Sequence, residues 1–183
     1  MRRQKYLLRF TIINKEQGVQ LNMNIIRNIF SFPHPVNEFA ARLVAGMVVL
    51  LILTILLTGY TPLLWLLFYG FVARVLTGPT LSPMGLLATK VIIPILGNPN
   101  KPVAGPPKRF AQLIGFILIS LSLLAEFVLL STNLAYILII IIGVFAILES
   151  VVGFCAGCFV FSQLMKIGII PESTCEKCNN INL

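Results

Sequence analysis

Charge is scarce in this chain. Of its 183 residues only 11% are Asp, Glu, Lys or Arg, and just six are acidic. An ordinary soluble domain carries about 25% charged residues, so a water-soluble globular enzyme is excluded. There is a single histidine, His34, held between Pro33 and Pro35. That context reads as an interfacial turn residue and not as a ligand. No serine–histidine–acid arrangement, phosphate-binding loop or dinucleotide fingerprint is present. Residues 1–22 carry charge but no apolar core, so they do not read as a signal peptide. No basic patch is interleaved with exposed aromatics, so the net charge of +8 is not a nucleic-acid footprint.

What is abundant is apolar length. The chain is 57% hydrophobic with a mean hydropathy of +0.94, concentrated in four runs. These are Phe39–Thr58, Pro62–Thr77, Phe110–Leu130 and Asn133–Gly153, the last continuing through a cysteine pair. A hydrocarbon core needs about 20 helical residues. Three runs meet this, and the second needs flanking residues or a thinned bilayer. Tight turns at Gly59–Pro62 and Ser131–Asn133 join the runs into two hairpins, with Asn133 placed to cap the last helix. The expected fold is an all-α membrane protein with four transmembrane helices as two hairpins.

Both hairpin turns lack Lys and Arg. The N-terminal arm (1–34), the central connection (Lys90, Lys101, Lys108, Arg109) and the tail (Lys166, Lys177) carry them. The positive-inside rule then places both termini in the cytoplasm. Met23 opens a more natural start than Met1, so 1–22 reads as over-read sequence or as an arm held at anionic headgroups. In the connection, Ser82–Leu96 has a serine cap, proline at the first helical position and Pro94 as a stop. Too short to span, it reads as a short interfacial helix, followed by a proline-stiffened strap over GNPNKPVAGPP. Residues 35–167 form the membrane domain and 168–183 a cytoplasmic tail.

Ionisable groups inside a span are costly and are functional candidates by default. Arg42, Arg74 and Glu149 fall near one inner layer, where Glu149 can pair with one of the arginines. A structural ion pair and an anion- or substrate-binding site both remain open. Glu126 lies near the outer end of the third run and is expected to reach the outer surface. Gly153 and Gly157 form a small-xxx-small face suited to close helix packing.

The segments PVNEFAARLVAG, ARVLTGPTLSPMG, GPPKRFAQLIG and LESVVGFCAGC together resemble the bacterial membrane family called domain of unknown function 4395. The resemblance spans roughly Pro35 to Cys158 and implies a four-helix protein of the bacterial inner (cytoplasmic) membrane, with no established activity. It also implies a sulfur or thiol context, with a thioredoxin-like or rhodanese-like protein as partner alongside the lipid bilayer.

Four cysteines form two Cys-x-x-Cys pairs, Cys155/Cys158 and Cys175/Cys178, sixteen residues apart. Both fall on the cytoplasmic side, where permanent disulfides do not persist. The spacing matches a tetrahedral zinc site, so zinc held by all four is one reading. Reversible thiol–disulfide exchange or sulfur-group handling is the other and is preferred. Cys155 and Cys158 would be the active pair, and Cys175 and Cys178 the resolving or exchanging pair. It needs a low-pKa thiolate at a helix N-terminus or beside a cation, which Cys155 becomes if the helix breaks at Gly153 or if Arg109 or Arg74 approaches. Which cysteine is the nucleophile stays open. A third reading is a small-solute or anion transporter using the arginine layer.

Overall fold

The apolar runs become helices because each is bounded by residues that start or stop one. In a computed structural model, residues 35–168 are described. The N-terminal arm, His34 and the pair Cys175/Cys178 lie outside them. Helix α1 (Glu38–Thr58) begins at Asn37, whose side chain accepts the Phe39 N–H at 3.1 Å. It ends at Gly59, in the left-handed conformation (φ 67°) that a helix-closing residue needs. Helix α2 (Leu63–Thr77) follows the turn. Helix α3 (Pro83–Ile95) is short and starts at Ser82, whose hydroxyl accepts the Gly85 N–H at 3.3 Å. Helix α4 (Gly105–Phe127) and helix α5 (Thr132–Val152) form the second hairpin, and α6 (Ala156–Lys166) completes the described chain.

Three sequence-derived boundaries shift. Pro94 does not stop α3, which closes after Ile95 with Gly97 at φ 83°. Residues Leu87–Ile92 wind as a π-helix. That wider turn relaxes the contact between the Pro94 ring and the carbonyl four residues earlier, which ordinarily breaks a helix. Helix α4 begins five residues before Phe110, because Pro106 and Pro107 occupy its first turn, where missing N–H groups cost nothing. The strap is correspondingly shorter. Asn133 does not cap α5; the helix starts at Thr132 after Ser131, without a side-chain cap bond.

Helix α4 packs against α5 and α2, and α1 packs against α5 and touches α2 more lightly, which closes a ring of four helices. Ile55, Leu64, Leu67, Ile119 and Ile139 are fully buried at its centre. Ser122 donates to the Ala135 carbonyl at 3.1 Å across α4 and α5, a polar bond of the kind that ties helices together in lipid. Leu50, Leu57, Ile137 and Val144, by contrast, point outward and are at least half exposed. An apolar exterior over an apolar centre suits hydrocarbon, not water. Helices α1, α4 and α5, with 21, 23 and 21 residues, are long and apolar enough to cross a membrane. Helix α2 has 15.

A polar clasp gathers the chain starts at one end of the ring. Strands β1 (Val36–Asn37) and β2 (Pro102–Val103) pair antiparallel, with Val36 opposite Val103. The Asn37 amide donates to the Pro99 carbonyl at 2.8 Å, and Lys101 meets Glu38 at 2.7 Å. Arg109 donates to the Val75 carbonyl at 3.0 Å, which brings the end of α2 to the same end.

Candidate functional site

The site is built where α5 stops. Its last residues, Leu148–Val152, widen into a π turn, and Gly153 follows at φ 80°. Arg42 on α1 donates to the carbonyls of Ser150 (3.4 Å) and Val151 (2.8 Å). Those are carbonyls that a continuing helix would have used, so Arg42 fixes the break. A Cβ at Gly153 would sit 3.1 Å from the Arg42 guanidinium carbon, so only glycine suits the position in both backbone and space. The chain then restarts as α6 with Cys155 as its N-cap.

Cys155 Sγ accepts the backbone N–H of Cys158 at 3.3 Å. The Cys158 thiol points at the same sulfur, with the two Sγ atoms 2.6 Å apart. Both cysteines are half-buried and free. The two sulfurs are not equivalent. The hydrogen bond from the Cys158 thiol, foremost, holds the Cys155 thiol below its ordinary value. Burial and Glu149 oppose this, while the Lys108 charge and the Cys158 N–H add to it. The same hydrogen bond, with burial and the Cys155 charge, pushes the Cys158 thiol up. A thiol of lowered pKa at a helix N-terminus beside a cation is the setting of a nucleophilic cysteine. Thus the break at Gly153 is realised, and the cation is neither arginine expected for it but Lys108.

Lys108 is also the partner of Glu149. Its Nζ lies 2.6 Å from Glu149 Oε1, with side-chain exposures of 9% and 22%. This corrects the expectation that Glu149 pairs with Arg42 or Arg74. By sequence Lys108 ends the central connection, but the Gly105–Pro107 helix start turns it into the first turns of α4, facing α5. The diproline carried that signal. Arg42 is committed to the α5 carbonyls. Arg74, only 3% exposed, lies over the Phe71 ring at 4.5 Å and approaches Met84 Sδ at 3.8 Å.

Cys155, Lys108, Glu149 and Arg74 converge on one cleft of about 450 Å³ lined by all six helices, α3 contributing Gly85 and Thr89. Its walls are mostly apolar, and Gln112 is a further polar lining residue that sequence reasoning missed. Gln112 Oε1 is buried with no hydrogen-bond partner among the described residues. Cys158 and Arg42 do not line the cleft. Gly157 does pack closely, since a Cβ there would meet Ala111 at 2.5 Å, whereas Gly153 serves the break. Glu126 is half-buried, and its Oε2 is buried with no hydrogen-bond partner among the described residues. Among the described residues no group of three or more His, Cys, Asp or Glu could hold a metal ion, and two of the four proposed zinc ligands fall outside them.

A family model described as Domain of unknown function (DUF4395) matches residues 36–166. No curated protein and no solved structure matches the chain.

Proposed function

The chain belongs to the domain of unknown function 4395 family, and on that premise we propose that it is a multi-pass protein of the bacterial cytoplasmic membrane that carries out thiol–disulfide exchange through Cys155 and Cys158. Helices α1, α2, α4 and α5 are the four spans, with both termini inside, and α3 lies at the inner interface. Lys101, Lys108 and Arg109 gather at the end opposite the lysine- and arginine-free hairpin turns, which supports this sidedness.

The observation that carries the reading is the inequality of the two sulfurs. Cys155 caps α6, receives hydrogen bonds from the Cys158 N–H and thiol, and opens into the cleft, while Cys158 stands behind it. Cys155 thiolate attacks a partner's disulfide sulfur, forming a mixed disulfide and releasing the partner's other thiolate. Cys158 then attacks Cys155 Sγ, closing the internal disulfide and releasing the partner's second thiolate. A thioredoxin-like protein, or a rhodanese-like protein carrying a persulfide, is the partner that such a thiol recognises. Cys175 and Cys178 are the resolving or exchanging pair.

Metal analysis and thiol titration on one anaerobic preparation test this. Metal-free protein with one fast-alkylating thiol, assigned to Cys155 by mass spectrometry, is expected. About one equivalent of zinc with all four thiols protected would replace the redox reading with a structural zinc site. Cysteines introduced at Thr61 and Thr132 should label from outside the cell only; labelling from the cytoplasm would invert the topology.

A further inference from the structure

A thiol pair that is oxidised repeatedly must pass its electrons on, and the cleft beside Cys155 has the chemistry of an acceptor site. We propose that this cleft binds a lipid-soluble quinone, with its carbonyl oxygen on Arg74, and that the Cys155–Cys158 dithiol reduces it. The proposal rests on the thiol-exchange reading above and adds the substrate class of the same site.

The walls come first. Val44, Val48, Leu118, Ile142 and Phe145 line the cleft with hydrocarbon. Its volume of about 450 Å³ lies within the usual range for small-molecule sites, with room for a ring and the start of an isoprenoid tail. Phe145 and Val160 are lining residues that are also over 40% exposed. They mark a mouth on the exposed apolar surface, a route suited to an apolar ligand.

Two polar groups then select the ligand. A guanidinium has five N–H donors, yet Arg74 is 97% buried, and among the described residues its close contacts are an aromatic ring and a thioether sulfur. Glu149, the nearby carboxylate, is taken by Lys108. Among the described residues Arg74 therefore has no oxygen acceptor in hydrogen-bond contact, although the Glu149 charge acts on it, a setting that favours an added acceptor. Gln112 Oε1 is its complement, a buried acceptor without a donor among the described residues. A quinone carbonyl supplies what Arg74 lacks, and the hydroxyl of the reduced quinol supplies what Gln112 lacks. A small inorganic anion would satisfy Arg74 but would leave Gln112 and the apolar walls unmatched.

The step balances. Two S–H bonds break and one S–S bond forms between Cys155 and Cys158. The two electrons and two protons released reduce one quinone to one quinol, leaving no radical and no surplus proton. Thiol–disulfide exchange is reversible, so a partner's dithiol resets the Cys155–Cys158 disulfide by the reverse of the steps above; in that direction the quinone takes the place of the partner's disulfide as the oxidant.

The experiment uses full-length protein in nanodiscs, reduced with dithiothreitol and desalted anaerobically. The probe is a short-chain benzoquinone with every ring position substituted, so that thiols cannot add to it. The expected result is one quinol per Cys155–Cys158 disulfide, with saturable kinetics. Arg74→Met should raise the KM for quinone about 10- to 100-fold, the loss expected for a charged hydrogen bond, and Arg74→Lys should recover part of it. Ala41→Phe, which fills the cleft from α1, should abolish quinol formation and serves if Arg74→Met fails to fold. Wild-type protein that forms its disulfide with oxidised glutathione but yields no quinol would overturn the quinone proposal alone. So would a wild-type KM in both variants, or protection of Cys155 from alkylation by sulfite but not by quinone. A pair that cycles with neither oxidant would sink the thiol reading as well.

Discussion

Breaking the Lys108–Glu149 pair should reveal how much of the fold hangs on it. Both side chains are less than a quarter exposed, and their charges meet at 2.6 Å. Removing one partner from such a pair strands the other charge away from water, a loss of about 3–5 kcal/mol. For a chain of this size each kcal/mol moves the melting temperature by roughly 2–4 °C. Lys108→Met and Glu149→Gln should therefore each lower it by roughly 6–20 °C, measured as loss of monodisperse protein on heating in a mild detergent. The double variant carries no stranded charge, so it should be less destabilised than the sum of the singles by about 0.5–3 kcal/mol. The singles should also separate chemically. Glu149 raises the Cys155 pKa and Lys108 lowers it, so Glu149→Gln should speed Cys155 alkylation near neutral pH and Lys108→Met should slow it. Additivity within about 0.5 kcal/mol, or a larger coupling of Glu149 to Arg42 or Arg74 than to Lys108, would refute the pairing.

The alkylation of Cys155 should rise with pH and reach half its plateau below the ordinary thiol value of about 8.5, because its pKa is lowered. Cys158→Ala removes the foremost cause, so the midpoint should move to higher pH, while Cys158→Ser, which retains a donor, should move it less; identical profiles for all three proteins would contradict the hydrogen-bonded pair. Gly153→Ala forces a Cβ into the left-handed region and against Arg42, and should cost about 1–3 kcal/mol while slowing Cys155 alkylation, because the α6 cap is disturbed. A Gly153→Ala protein with wild-type stability and alkylation rate would show that the break does not position the thiol.

Length and composition by themselves determined the helical membrane character. An apolar run either matches the hydrocarbon thickness or it does not, and this needs no knowledge of neighbours. The family resemblance was equally legible, since it rests on residues in order along the chain. The cap at Asn37, the stop at Gly59 and the start at Ser82 are also local, because each is a bond between residues close in sequence. The candidate cysteines could be named from spacing alone, but their inequality could not. Which thiol has its pKa lowered depends on the Cys158 hydrogen bond set by where α6 restarts and, less, on a lysine brought from α4, 47 positions earlier by number (155 less 108). The partner of Glu149 was misjudged for the same reason: three cations lie within reach of that layer, and helix rotation chooses among them. Arg42 went to the open carbonyls of α5, Arg74 to an aromatic ring, and Lys108 to the carboxylate. The cleft has no linear signature at all, because six helices each contribute a few residues whose convergence exists only once the helices pack.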